Sequence, residues 1–223
     1  MYEYLSRYVH NLQIITVDDT NLDALATLPA VWSDLLLLDQ EKRIKYVIKS
    51  WQTFGEDLRN ITHFLEHHLE GIHFIHSSRG LGMIYSIRKD DGHIVYYEGR
   101  PPSMDTQLID SRQLNKTPST LQQFYEQHHN GWYYFASVSM GPMPLEKLFL
   151  LGQKDWGILE ELPLLDFDLN QCLAIFNNGM GDYLSLDLTG DQPKGLLWYH
   201  DQAPKVNIDF WDYLDEWMCI GLE

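Results

Sequence analysis

The sequence predicts a protein of the α+β class, with helical and strand-forming segments in separate blocks. Three patterns carry that reading: apolar residues at helical spacing before residue 70, strand-like runs between 72 and 98 and between 172 and 199, and an amphipathic helix that closes the chain.

After the polar cluster Asp18-Asp19-Thr20-Asn21, residues Leu22, Leu25 and Leu28 recur at near-helical spacing up to Pro29, and Ser33 or Asp34 is placed to cap the next helix. Over 41–54, Ile44, Val47, Ile48 and Trp51 give the i, i+3, i+4, i+7 stripe of an amphipathic helix. A third helix is expected over 56–70, ended by Gly71. The period changes at Ile72. Two β-rich runs then flank Asp91-Gly92, a pair that favours a tight hairpin because both residues tolerate positive φ. Residues 99–116 read as a loop and as the internal boundary of the chain, with Pro118 at a helix start.

The helix over 119–129 presents Leu121, Phe124 and Tyr125 on one side and stops at Asn130-Gly131, where His128-His129 reads as a capping feature that complements the helix dipole. A strand is expected over 132–139, then a turn at Gly141-Pro142-Met143-Pro144 and a short segment over 145–151. Residues 172–176, 183–188 and 195–199 read as three successive strands, and 209–218 as a helix burying Phe210, Tyr213, Leu214 and Trp217.

The second half carries a more specific order of segments. A Pro-initiated helix ends in Asn-Gly-Trp at 130–132. It is followed by Phe176-Asn177-Asn178-Gly179-Met180-Gly181-Asp182-Tyr183-Leu184-Ser185-Leu186-Asp187-Leu188, then by Gly195-Leu196-Leu197-Trp198-Tyr199-His200-Asp201, then by the aromatic and acidic closing helix. In this order and spacing, residues 116–223 resemble the SUKH superfamily. The resemblance implies a twisted, mainly antiparallel sheet with helices packed on one face. It also implies action through protein binding, since many bacterial members inhibit toxins, often nucleases, delivered between competing cells. Residues 1–100 then stand as a helical and hairpin extension to the SUKH-like domain.

Charge supports a protein partner. The 223 residues carry a net charge of -16, and residues 155–223 hold 14 acids against two bases, leaving a net of only -4 for the rest. Such a surface repels phosphate and disfavours direct nucleic-acid binding, whereas a basic protein would be steered to it. Asp182, Asp187, Asp191, Asp201, Asp209, Asp212, Asp215 and Glu216 form the candidate partner-binding pool. The leading expectation is an immunity protein that neutralises a cognate toxin with a basic surface. The alternative is an intracellular regulatory or scaffold protein.

No apolar run approaches the roughly 18 to 20 residues that span a bilayer, and the start lacks the basic-then-apolar layout of a secretion signal, so a cytoplasmic protein with no membrane partner is expected. Cys172 and Cys219 stand apart, without metal-ligand spacing. His63 and His67 lie one helical turn apart, but Phe64 breaks an HExxH motif, so an exposed helical surface is expected there rather than a metal centre. A group formed by Asp187, His200 and Asp201 is conceivable, but a strand end and a turn account for those residues. With no GxSxG, Walker or dinucleotide motif, the expectation is no catalytic residue, no cofactor and no metal.

Overall fold

A computed structural model describes residues 1–17, 28–103, 105 and 113–222 of the chain. The cluster Asp18 to Asn21, together with Leu22 and Leu25, lies outside the described residues, as do 104 and 106–112 of the expected loop. The fold is α+β, with two antiparallel sheets rather than one.

The first sheet is a meander ordered β1-β2-β3-β4-β5, with β1 Gln13–Ile15, β2 Leu69–Ser77, β3 Gly80–Arg88, β4 Ile94–Gly99 and β5 Trp132–Tyr134. The Asp91-Gly92 hairpin forms as expected. Gly92 adopts φ 86°, and the Asp91 carboxylate accepts the His93 amide at 2.9 Å.

The helices are α1 Tyr2–Leu5, α2 Ala30–Leu36, α3 Gln40–Trp51 and α4 Arg59–His68. Ser33 and Asp34 lie inside α2 instead of capping it. The cap falls at Asp39, whose side chain accepts the Lys42 amide at 2.9 Å and opens α3. Gly71 does not end α4 either. The chain passes from α4 directly into β2, and Gly71 sits at a register shift against β3, where Ile72, Phe74 and Ile75 become fully buried. Sheet pairing and burial outweigh the local preference of glycine for a helix end.

Beyond Pro118, α5 Ser119–Gln123 widens into a π turn over Phe124–His128, closed by the His129 amide on the Phe124 carbonyl at 2.8 Å. The expected strand over 132–139 stops at Tyr134. Val138 and Met140 take left-handed backbone angles, and the Tyr134 amide turns back to the Ser139 carbonyl at 2.8 Å.

That reversal starts the second sheet, ordered β11-β10-β9-β8-β6. Its strands are β6 Gly141–Pro142, β7 Phe149–Leu150, β8 Cys172–Asn177, β9 Tyr183–Asp187, β10 Lys194–Trp198 and β11 Lys205–Ile208, and β7 also pairs with β8. The closing helix α6, Phe210–Ile220, packs on β9, β10 and α4. The sheets meet where the Gly141 backbone lies against the Trp132 carbonyl, a contact that leaves no room for a side-chain carbon.

One continuous buried cluster crosses this seam. It joins Trp51 and Phe74 of the first 100 residues to Trp132, Phe176, Leu197 and Leu214 of the rest. The opposite side of the first sheet is covered by the start of the chain, with Leu5, Val9 and Leu12 on Ile75, Ile84 and Phe135. Glu98, fully buried on that side, faces Arg79 Nη1 at 3.4 Å. Burial raises its pKa, and the two arginines Arg79 and Arg100 oppose that shift. Among the described residues no helix is long and apolar enough to cross a membrane.

His128 and His129 are interior residues rather than a charged cap. The Trp51 indole donates to Tyr85 Oη at 3.2 Å, Tyr85 Oη lies 2.6 Å from His129 Nε2, and His129 Nδ1 lies 3.1 Å from the Arg100 carbonyl. This chain of bonds suits a neutral ring with its proton on Nδ1. Burial pushes the His129 pKa from 6.5 down to about 4. The unfolded chain therefore takes up a proton that the folded one refuses, and stability falls as pH drops from about 6.5 toward 4. The full shift corresponds to about 3 kcal/mol. Urea unfolding between pH 7 and pH 4 is expected to show a shallower loss of stability for His129→Gln than for the native chain. Equal slopes would remove His129 as a source of acid sensitivity.

Candidate protein-binding surface

Strand register sorts the acidic residues into two ends of the second sheet. In the β9–β10 hairpin, Asp187 opposes Lys194 at one end and Tyr183 opposes Trp198 at the other, a separation of about 13 Å at the usual rise per residue. β11 brings Ile208 opposite Gly195, so Asp209 falls at the Asp187 end. Asp191 lies in the intervening turn. The segment before β8 adds Asp166 and Asp168, which line a groove with Asp187, Thr189 and Lys194. Three carboxylates thus line a groove with Lys194, and Asp191 and Asp209 fall at the same end of the sheet.

Three of the five are held by local hydrogen bonds. Asp168 Oδ1 accepts the Asn170 amide at 2.9 Å, Asp187 Oδ1 accepts the Thr189 amide at 2.9 Å and its hydroxyl at 2.6 Å, and Asp209 Oδ1 accepts the Trp211 and Asp212 amides at 3.0 and 3.1 Å. Acids fixed in this way lose little conformational freedom when a partner docks. Apolar atoms adjoin them: Val206 lines a second groove with Asp166 and Asp187, and Leu164, two residues before Asp166, is fully exposed. Exposed apolar residues bordered by charge suit a docking surface.

The other end is built differently. Asp182 clasps the β8–β9 loop to the chain beyond β10: its Oδ1 accepts the His200 amide at 3.0 Å and lies 2.7 Å from His200 Nδ1, while its Oδ2 accepts from Asn178 at 2.8 Å. Burial opposes ionisation of Asp182, but the hydrogen bonds from His200 and Asn178 prevail and hold its pKa below the ordinary value. The same bond raises the pKa of His200. The group of Asp187, His200 and Asp201 therefore does not assemble. Asp201 is exposed beside His200, whereas Asp187 lies at the far end of the strand.

On α6, Asp212 and Glu216 are exposed, but Asp215 is 4% exposed and does not belong to a surface pool. Its carboxylate accepts the amides of Asn60 and Ile61 at 2.7 and 2.8 Å. These are free donors of the first turn of α4, whose own N-cap, Leu58, offers no side-chain acceptor. Burial is the main cause of a raised Asp215 pKa, opposed by the two amides. The sequence held a signal for this position, since Asp215 stands four residues from Trp211 and next to Leu214 on the apolar side of the helix.

Asp166 and Asp168 were absent from the expected pool, because they lie in the irregular stretch between β7 and β8, where no apolar periodicity fixes their place relative to the strands. Trp132, Tyr133 and Trp198 are buried, and Tyr199 is half-buried. Among the described residues, metal-type side chains converge as His63-Glu66-His67 and as Asp182-His200-Asp201.

Asp215→Ala is expected to cost about 2 kcal/mol in urea unfolding, because one buried and one half-buried amide lose their acceptor, whereas Asp212→Ala on the exposed side of α6 should change stability by less than about 0.5 kcal/mol. Equal effects would contradict the capping role. No family model, curated protein or solved structure matches the chain.

Proposed function

We propose that this protein acts by binding a partner protein with a basic surface, and that the binding neutralises a toxin. The observation that carries the reading is the placement of Asp166, Asp168, Asp187, Asp191 and Asp209 at one end of the second sheet, the first three lining a groove with Lys194. Clustered carboxylates of this kind accelerate encounter with a cationic surface and penalise anionic partners. A nuclease is a suitable target, because its substrate groove must attract phosphates and is therefore basic. The resemblance of residues 116–223 to the SUKH superfamily supports the immunity reading and a site of action in the bacterial cytoplasm.

Binding of this type depends on the placed charges and is weakened by salt. Asp166 and Asp191 suit a test because both are exposed. Asp166→Lys with Asp191→Lys is expected to weaken the complex by about tenfold or more, chiefly through a slower association rate. The control reverses two exposed acids elsewhere, Glu3→Lys with Asp201→Lys. The binding partner for the assay is the C-terminal domain of a large secreted protein, where one is encoded beside this gene; a gene with no such neighbour contradicts toxin neutralisation and favours the regulatory or scaffold reading. Co-expressed cells should survive with the native chain and die with the Asp166/Asp191 variant. Cell death in the presence of both soluble native proteins contradicts toxin neutralisation and favours the regulatory or scaffold reading. Equal effects of the two double reversals contradict the assignment of the surface.

A further inference from the structure

We propose that the exposed side of α4 is a binding site for a divalent transition-metal ion of the zinc class, with His63, Glu66 and His67 as its ligands. The three residues follow one another at i, i+3 and i+4, so one helical turn presents all of them in the same direction. One ligand atom of each lies within 4.8 Å of the others, and the two imidazole rings are 4.4 Å apart between centroids. Zinc takes nitrogen and oxygen ligands at about 2.0 to 2.2 Å. Closing the triad around an ion therefore requires only small rotations of side chains that reach solvent.

The groups around the triad favour coordination. His67 Nδ1 lies 2.8 Å from the His63 carbonyl. A carbonyl accepts, so the ring proton sits on Nδ1 and the Nε2 lone pair is left for a metal. Metal-binding histidines use this same arrangement, in which the second nitrogen donates to a carbonyl or carboxylate. Glu66 is oriented in a similar way: its Oε1 accepts from Gln52 Nε2 at 2.8 Å, while Oε2 lies 3.9 Å from His63 Nδ1. Glu216 of α6 lines the same groove as His63 and His67 and adds negative charge beside the site. Two imidazoles and one carboxylate suit zinc, nickel or cobalt better than magnesium or calcium, which prefer oxygen donors.

The second convergent group, Asp182-His200-Asp201, lacks this preparation. There the histidine nitrogen and the carboxylate bond to each other and hold a loop. The α4 site also lies on a different element from the acidic end of the second sheet, so it is independent of the proposed toxin binding.

The test uses the full chain after removal of metal by a chelator. Zinc is titrated by calorimetry, and cobalt by its visible absorption, which reports the ligand set. One equivalent of ion is expected. His63→Ala and His67→Ala should each weaken binding by at least about tenfold, and acidification should release the ion because imidazole coordinates only when neutral. Both side chains are exposed, and circular dichroism of the variants checks that the fold is kept. Absence of saturable binding overturns the proposal. So does an equivalent of ion whose affinity is unchanged in both histidine variants.

Discussion

The structure depends on Trp132 and on the close backbone contact between its carbonyl and Gly141. The indole stacks on Tyr97 at 4.3 Å and meets Trp51 at 5.2 Å and Tyr85 at 5.8 Å, so one side chain touches α3, β3 and β4. Two residues after Trp132 the chain reverses, and it returns as β6 to pair with β8. Aromatic side chains bury large areas and prefer such edge and offset contacts. Here they fill the space between the first sheet and α3, which covers it. The boundary expected between 99 and 116 is a boundary in sequence, while the buried cluster runs across it.

The shared core gives the acidic end a rigid support. The β9–β10 hairpin is buried along most of its length, with Leu184, Ser185, Leu196 and Leu197 at 1% exposure or less, so the strands cannot shift in register without moving core residues. The carboxylates at the hairpin end are fixed as a consequence. Asp215 shows the same residue type in the opposite role. Turned inward by the apolar side of α6, it caps α4 and ties the closing helix to the helical block 155 residues earlier. The acidic excess of the last third thus serves both a surface and an internal joint.

Legibility in the sequence followed the strength of periodicity. The stripe of α3, the three strands after residue 172 and the closing helix were visible, because each repeats its apolar residues over several turns or alternations, and the hairpin was visible through its Asp91-Gly92 turn pair. β1 and β11 were not visible. Gln13–Ile15 is three residues long, and Lys205–Ile208 is an edge strand with three exposed residues, so neither needs an apolar pattern. The shortening of β5 and the place of Gly71 inside β2 depend on pairing partners distant in sequence. The acids were visible as a population but not as a surface, since only strand register places Asp187 and Asp209 together and Asp182 apart.

The central claim is that the helical block and both sheets form one cooperative unit that presents the acidic end. The most direct test is native-state amide hydrogen exchange along a urea series, read at core amides of β3 and of β9. A single unit predicts that Tyr85 and Leu184 exchange with the same opening free energy and the same urea dependence. Exchange at Tyr85 while Leu184 stays protected would contradict the account, because it would make the first 100 residues a separable layer on an independent domain.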